Sequence, residues 1–479
     1  MARSLATLSL LIAAGAVLSA CAVGPDYHRP PVATPAAFKE SQGWTPAVPA
    51  DGLDRGDWWT VFGDDQLNAL EAKVEVSNQN LKAAEAAYRQ ARALVAEDRA
   101  SLFPAIDLTG SATRSKRGAS TVTGPGGQSV NVGSSAASSY QAALGASWEP
   151  DVWGKIRRTV ESAKGSAQAS EGDLANARLA AQSELAADYI QLRLADANKR
   201  LLGKTVEGYA KSLQITQNQY KVGVAAKGDV LQAQTQLVST QASLVDVDNQ
   251  RAAAEHAIAV LIGLAPADFS ITPDAGWTPK PPPTPQGLPS TLLQRRPDVA
   301  AAERRAMAAN AQIGVQFAGF FPDLTLSGSY GFGSSALKSL FNSSNAAWSY
   351  GGNVAQTVFD AGATLERVRG ARAGYDQAVA TYRQTVLTAF QQVEDGLAAA
   401  RVLQDEAVYR EQASASADQA EQILLNQYRA GQVAYTSVVV AQATALSARE
   451  SLLQIEGQRV TNAISLITAL GGGWSGRLK

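Results

Sequence analysis

The chain has 479 residues, with 42 Lys and Arg against 43 Asp and Glu for a net charge of −1, one cysteine and two histidines. Charge this evenly spread, with no basic run, argues against a nucleic-acid partner. A lone cysteine excludes a disulfide framework, and His28 and His256 with that one cysteine form no His/Cys cluster and so no soft-ligand metal set.

Residues 1–20 carry Arg3, an apolar core of Leu8, Leu10, Leu11, Ile12, Val17 and Leu18, and then small residues. This is the pattern of a secretory signal, too short for a membrane span with its own flanks. Leu18-Ser19-Ala20-Cys21 resembles a bacterial lipobox, which implies cleavage before Cys21 and lipidation of its thiol; the alternative is an ordinary signal followed by a chance cysteine. Acyl chains contribute about 0.8 kcal/mol per buried CH₂, so two or more anchor a protein stably. Ala22 stands where an Asp would signal inner-membrane retention, and by that resemblance the destination is the outer membrane. Pro25, Pro30, Pro31, Pro35, Pro46 and Pro49 make residues 21–57 an extended, lipidated strap.

Trp58-Trp59 opens a first repeat over residues 58–265, in which helical spacing predicts one helix from Leu67 to Leu102, stopped by Phe103-Pro104. The period then changes to two. Strands are expected at about 104–113 and 139–149, joined by a Ser/Gly/Thr loop from Ser115 to Ser138. Residues 154–222 lack proline, and Leu202, Val206, Tyr209, Leu213, Thr216 and Tyr220 step by four and three, giving a helix that reaches ~100 Å. After a turn at 223–228 a return helix runs from Asp229 to Ile262. Prolines punctuate a linker over 266–295. A second repeat over 296–470 then offers a helix from Arg296 to Ala318, Phe321-Pro322, strands at about 322–332 and 348–358, and a second long hairpin turning at 431–436, before a tail at 471–479.

The two hairpins are copies. Asn218-Gln219-Tyr220-Lys221-Val222-Gly223 reappears as Asn426-Gln427-Tyr428-Arg429-Ala430-Gly431, and Tyr428 stands 208 positions after Tyr220; Leu231, Val238 and Val245 recur at the same offset as Val439, Leu446 and Leu453.

Strands of about ten residues, apolar on one face and polar on the other, suit a membrane barrel, and Tyr140, Trp148, Trp153, Tyr330, Trp348 and Tyr350 sit near strand ends where aromatic girdles belong. A soluble sandwich inserted between helices shares that alternation. Within lipid an open four-stranded sheet leaves its edges unpaired at several kcal/mol per group, so several chains must share one barrel. Helices continuous with those strands would extend it into a tube, and a tube conducts.

In its ordered motifs the chain resembles the outer membrane factor family (TolC-like), in its NodT-type lipoprotein branch. The resemblance rests on Cys21-Ala22-Val23-Gly24-Pro25-Asp26-Tyr27, on Trp58-Trp59 with Phe62, Leu67 and Leu70, on Arg296-Pro297-Asp298-Val299 and Phe321-Pro322-Asp323-Leu324, and on the two Asn-Gln-Tyr-x-x-Gly tips. It implies an α+β membrane protein with internal duplication: four strands per chain enter a trimeric 12-stranded β-barrel, continued by a coiled-coil tunnel. It further implies an exit duct of a tripartite, RND-type efflux system, docked on a periplasmic adaptor and an inner-membrane pump; an outer-membrane component of type I protein secretion is the alternative. The adaptor contacts it implies are at Tyr220, Lys221, Gly223, Lys227, Gly431 and Tyr435, and the periplasmic gate at Asp229, Tyr428 and Arg429. Val433, Ser437 and Val440 depart from the charged residues some members place at the second tip. Simpler readings stand beside these: Asp229 caps a helix, Tyr220 and Tyr428 pack a coiled coil, and Gly223 and Gly431 end helices.

No nucleophile elbow or phosphate loop appears in a suitable context, so neither catalysis nor a cofactor beyond the lipid on Cys21 is expected. Two other classes compete: a structural or adhesive lipoprotein stalk that does not conduct, and a general porin, which leaves the long hairpins unexplained.

Overall fold

The computed structural model describes residues 22–32, 35, 38–40, 57–116, 118, 120–123, 129–132, 136–274, 276–282 and 296–472. The signal, Cys21, most of the strap, part of the linker and most of the tail lie outside them. Two compact units form, one from the described residues of Met1–Pro30, Arg89–Ala167 and Arg304–Ala380, the other from those of Pro31–Tyr88, Gln168–Glu303 and Thr381–Lys479.

In chain order the elements are α1 (Asp65–Ser77), α2 (Gln79–Ala100), β1 (Ala105–Lys116), β2 (Ser120–Thr123), β3 (Ser129–Val132), β4 (Ala136–Trp148), α3 (Lys155–Lys221), α4 (Lys227–Leu261), α5 (Pro297–Phe317), β5 (Asp323–Ser334), β6 (Ala346–Ala355), α6 (Ala363–Arg429) and α7 (Tyr435–Ala469). The duplication holds to the residue. All four ends of α3 and α4 recur 208 positions later in α6 and α7, at 67 and 35 residues in each copy. So do the left-handed glycines at 154, 223 and 263, matched at 362, 431 and 471.

Three expectations need correction. The helix foreseen from Leu67 to Leu102 is two. Asn78 leaves helical geometry at ψ 122°, its Oδ1 accepts from Leu81 N at 3.0 Å to cap α2, and its Nδ2 donates to Leu261 O at 2.8 Å. Asn competes with helix backbone in just this way, so it ends one helix and starts the next. The loop foreseen between β1 and β4 contains the small hairpin β2–β3, paired from Ser120↔Val132 to Thr123↔Ser129. The last strand ends at Ala355, which leaves Val358 outside it and exposed.

Unit one holds an antiparallel sheet in the order β1-β4-β5-β6. Unit two holds the main apolar cores. In one, Trp58, Trp59, Leu67, Leu70 and Val74 pack on Leu185, Tyr189 and Leu192 of α3, Ile258 and Ile262 at the end of α4, and Ile464 of α7. In another, Phe38 of the strap joins Val299 of α5 and Tyr382, Val386, Phe390 and Leu397 of α6. Asp64 caps α1 by accepting from Gln66 N and Leu67 N at 2.9 and 3.0 Å, which fixes the angle at which Leu67 and Leu70 enter. Among the described residues, no helix is long and apolar enough to cross a membrane.

Candidate functional site: an uncovered sheet and two hairpin tips

Register turns the period-two pattern into rows across the sheet. Leu108 lies opposite Leu144, Leu144 opposite Tyr330, and Tyr330 opposite Trp348. The next row on that face runs Ile106, Ala146, Gly328 and Tyr350, while the other face carries Asp107, Gly145, Ser329 and Ser349. The apolar rows are open: Leu108 is 78% exposed and Trp348 69%. A soluble sandwich buries such a face; among the described residues this one is uncovered. Below the strands, Trp153 stacks on Phe321 with ring centroids 4.8 Å apart and donates from Nε1 to Pro322 O at 2.9 Å. Trp148 Nε1 likewise donates to Leu102 O at 3.0 Å. Each indole is partly exposed with its N–H satisfied, the arrangement that suits a membrane boundary.

The start of the strap is tied to this unit. Val23 N donates to Trp153 O at 3.0 Å, Arg158 Nη2 reaches Asp26 at 2.8 Å, and Asn310 Nδ2 donates to Pro25 O at 3.0 Å. The residues next to Cys21 are thereby fixed, although Cys21 itself lies outside the described residues.

At the far ends of α3 and α6 the chain turns identically. Gly223 N donates to Tyr220 O and Val224 N to Gln219 O at 3.0 and 2.8 Å; Gly431 N donates to Tyr428 O and Gln432 N to Gln427 O, both at 2.9 Å. Both glycines have φ near +75°, the left-handed cap that a side chain would strain.

Inside the tips the copies diverge. Tyr428 and Tyr435 lie 5.0 Å apart in a cluster with Ala233 and Val438. The Tyr428 hydroxyl donates to Thr216 Oγ1 at 3.4 Å. Burial, with lesser contributions from Tyr428 and Asp229, pushes the Tyr435 phenol up to about 12. Burial likewise raises Tyr428. Both phenols are therefore uncharged at neutral pH.

Of the residues expected at the gate, Asp229 is brought to Tyr428 and Tyr435, and its carboxylate also accepts from Ala226 N at 3.2 Å. Arg429 is not part of that group; it is exposed and donates to Asn426 on its own helix. Tyr220, Lys221, Gly223, Lys227 and Gly431 are open at the tips. Tyr435 is not an outward contact: it is 2% exposed, because the position that holds Lys227 in the first copy holds an aromatic in the second and folds under. Val433 packs against the same cluster.

Sequence reasoning missed the groups that grip the linker. Arg193, fully buried on α3, donates to Tyr189 Oη, Asp196 Oδ2, Gln66 Oε1 and Thr272 O at 3.0, 3.1, 2.6 and 3.0 Å. Arg251 of α4 joins Asp196 at 2.8 Å and also holds Ile271 O. The available signal was the duplication, since Arg401 and Arg459 stand 208 positions on.

A sheet with an open apolar face, followed in each repeat by a helix of ~100 Å and a return helix of about half that length, defines a subunit of a membrane channel. Residues 72–264 and 288–472 match the outer membrane efflux protein family. The cation efflux system protein CusC of Escherichia coli O6:H1 is 30% identical over 462 residues, covering 95% of this chain and 96% of that one. The toluene efflux pump outer membrane protein TtgC of Pseudomonas putida is 31% identical over 484 residues, covering 99% and 96%. The solved outer-membrane channel OprN superposes with a TM-score of 0.84 at 32% identity, over 95% of this chain and 100% of that one. The chain belongs to the outer membrane efflux protein family. Its fold is the α+β one of barrel strands continued by a helical tunnel, and it serves as an efflux duct in the outer membrane with its tunnel in the periplasm.

Proposed function

We propose that three copies close one 12-stranded barrel and a 12-helix tunnel, a passive duct through which substrate leaves chemically unaltered. The observation that carries this is the sheet itself: among the described residues β1 and β6 each pair on one side only, and the face bearing Leu108, Leu144, Tyr330 and Trp348 is uncovered. Hydrocarbon accepts the face but not the edges, so neighbouring copies must pair them.

The open tips at Lys221 to Gly228 and Arg429 to Ala434 are the surfaces offered to a periplasmic adaptor, which couples the duct to an inner-membrane pump of the RND class. Relatives named for cations and for toluene share this architecture, which supports a duct whose cargo is chosen by its pump. A lipid on Cys21 would enter the membrane near Trp153, whose carbonyl accepts from Val23 N, with Arg158 and Asn310 holding Asp26 and Pro25. Closure at rest is assigned to the tips, where Asp229 bears on the Tyr428–Tyr435 pair. The purified protein in planar bilayers should form discrete channels that open further in Tyr428→Ala; a molecule that never conducts would be a stalk, and an always-open pore would be a porin.

A further inference from the structure

The long helices carry more apolar surface than one protomer uses. On α4 a buried heptad, Ala233, Thr240, Val247 and Ala254, faces the other helices. A second heptad, Leu231, Val238 and Val245, faces outward, with Val245 70% exposed. On α6 the same doubling occurs: Ala407, Ser414 and Tyr428 are buried, while Val402, Tyr409 and Ile423, spaced by seven or fourteen, are exposed, Tyr409 to 71%. Scattered surface apolar residues need no explanation. A second heptad does, because seven-residue spacing is maintained where another helix packs.

The two seams fit one another in a single register. Antiparallel heptads can pair only in registers seven residues apart, and contacts within the chain set the heights of the two hairpins. Ser212, nine residues above the end of α3, meets Gln442, seven above the start of α7. Tyr209, at twelve, also meets Gln442, and Thr216, at five, meets Tyr428, one above the end of α6. The second hairpin is thus offset by two to five residues, and five is the one seam register in that range. A rotation axis parallel to the helices leaves heights unchanged from copy to copy. We propose that Val238, Val245 and Ala252 on α4 of one copy pack against Ile423, Ser416 and Tyr409, respectively, on α6 of the next. Bulk alternates across this seam, with Ala252 leaving room for Tyr409. The inference rests on the reading of a closed ring of copies and names the helices that seal its wall.

The test is disulfide trapping in the full-length, lipidated protein, with Cys21 and single-cysteine variants as background. Val238→Cys with Ile423→Cys, and separately Val245→Cys with Ser416→Cys, place sulfur at positions exposed in the protomer, so each protomer folds as before. Mild oxidation should convert most of either protein to covalent trimer on a non-reducing denaturing gel. Val245→Cys with Ile423→Cys, displaced by seven residues or ~10 Å, lies beyond disulfide reach and should not cross-link. A trimer by native mass that fails to cross-link in both in-register pairs, or links only in the displaced one, overturns the seam while the ring stands. A monomer by native mass overturns both.

Discussion

The two repeats share a backbone and differ in what they do with it. Helix ends and turn glycines match at a constant offset of 208 residues, yet equivalent side chains have moved between surface and core. Arg193 is sealed in a network with Tyr189, Asp196, Gln66 and Thr272, whereas its counterpart Arg401 lies half in solvent and pairs with Glu40 of the strap at 2.6 Å. Lys227 is exposed at the first tip; its counterpart Tyr435 is buried at the second. Duplication fixed where the chain turns, and later substitution decided which hairpin grips the linker and which turns its tip aromatics against the other hairpin.

The arginine pair gives the largest contrast. Arg193→Ala leaves Asp196, whose side chain is 3% exposed, with Arg251 as its cation, and removes the donor to Tyr189, Gln66 and Thr272; each buried acceptor left unpaired costs about 1–3 kcal/mol. Arg401→Ala removes an exposed pair worth about 0–1 kcal/mol. Thermal denaturation in detergent should therefore separate the two variants clearly, and equal shifts would mean that the linker grip contributes little.

The tip pair comes next. Tyr435→Ala opens the cluster formed with Tyr428, Ala233 and Val438, a loss of about 3–5 kcal/mol for a buried aromatic, confined to the tip. Lys227→Ala should be silent. Hydrogen exchange resolves this: amides of residues 425–440 should lose protection in the first variant, and those of 220–235 should keep it in the second.

Periodicity made most of the architecture legible, because period two and period seven are burial patterns written directly into the chain. It reached the four strands, the hairpins and even the apolar rows that register later aligned. It failed at Asn78, where one side chain outcompetes a helix that the apolar spacing would carry through. At the tips, a tyrosine in a repeated Asn-Gln-Tyr motif marks a turn but does not say on which side of it the ring lies. Buried Arg193 was invisible for a related reason: an arginine on a helix reads as solvated unless its four acceptors, drawn from residues 66 to 272, are known to converge.

The short helices entering each repeat contrast in a pH-dependent way. Glu303 of α5 is buried with a partner. Glu71 of α1 is fully buried with neither oxygen hydrogen-bonded among the described residues. That burial, and then the Glu75 carboxylate, pushes Glu71 up to about 9 from an ordinary 4.5. The folded chain keeps a proton there that the unfolded chain releases, so this group destabilises the fold increasingly as pH rises from about 4.5 toward 9. Glu71→Gln should flatten that slope and raise the denaturation temperature at neutral pH; an unchanged slope would place its cause elsewhere.

A smaller effect tests whether the turns are truly equivalent. Gly223→Ala and Gly431→Ala each force a side chain into left-handed geometry, at about 1–2 kcal/mol. Neither site has a neighbour that an added Cβ would meet within 4 Å, so the two losses should be equal within error. Unequal losses in tip hydrogen exchange would show that the second cluster stiffens its own turn.

The smallest contrast bears most directly on closure. Asp229 accepts from Ala226 N to satisfy the first turn of α4; its counterpart in α7 is Ser437. Only this reciprocal half of a capping box forms, because Ala226 has no side-chain acceptor of its own. Asp229→Ala should cost about 1 kcal/mol, and Ser437→Ala close to nothing. Asp229→Asn separates the two roles of the carboxylate, since an amide still accepts from Ala226 N but no longer carries charge toward Tyr428 and Tyr435. If Asp229 helps hold the tips shut by its charge, the Asn variant keeps the stability of the parent and raises single-channel conductance. If it acts as a cap alone, conductance moves only in the Ala variant, together with fraying of α4, and the resting latch must be sought among the aromatic residues of the second tip.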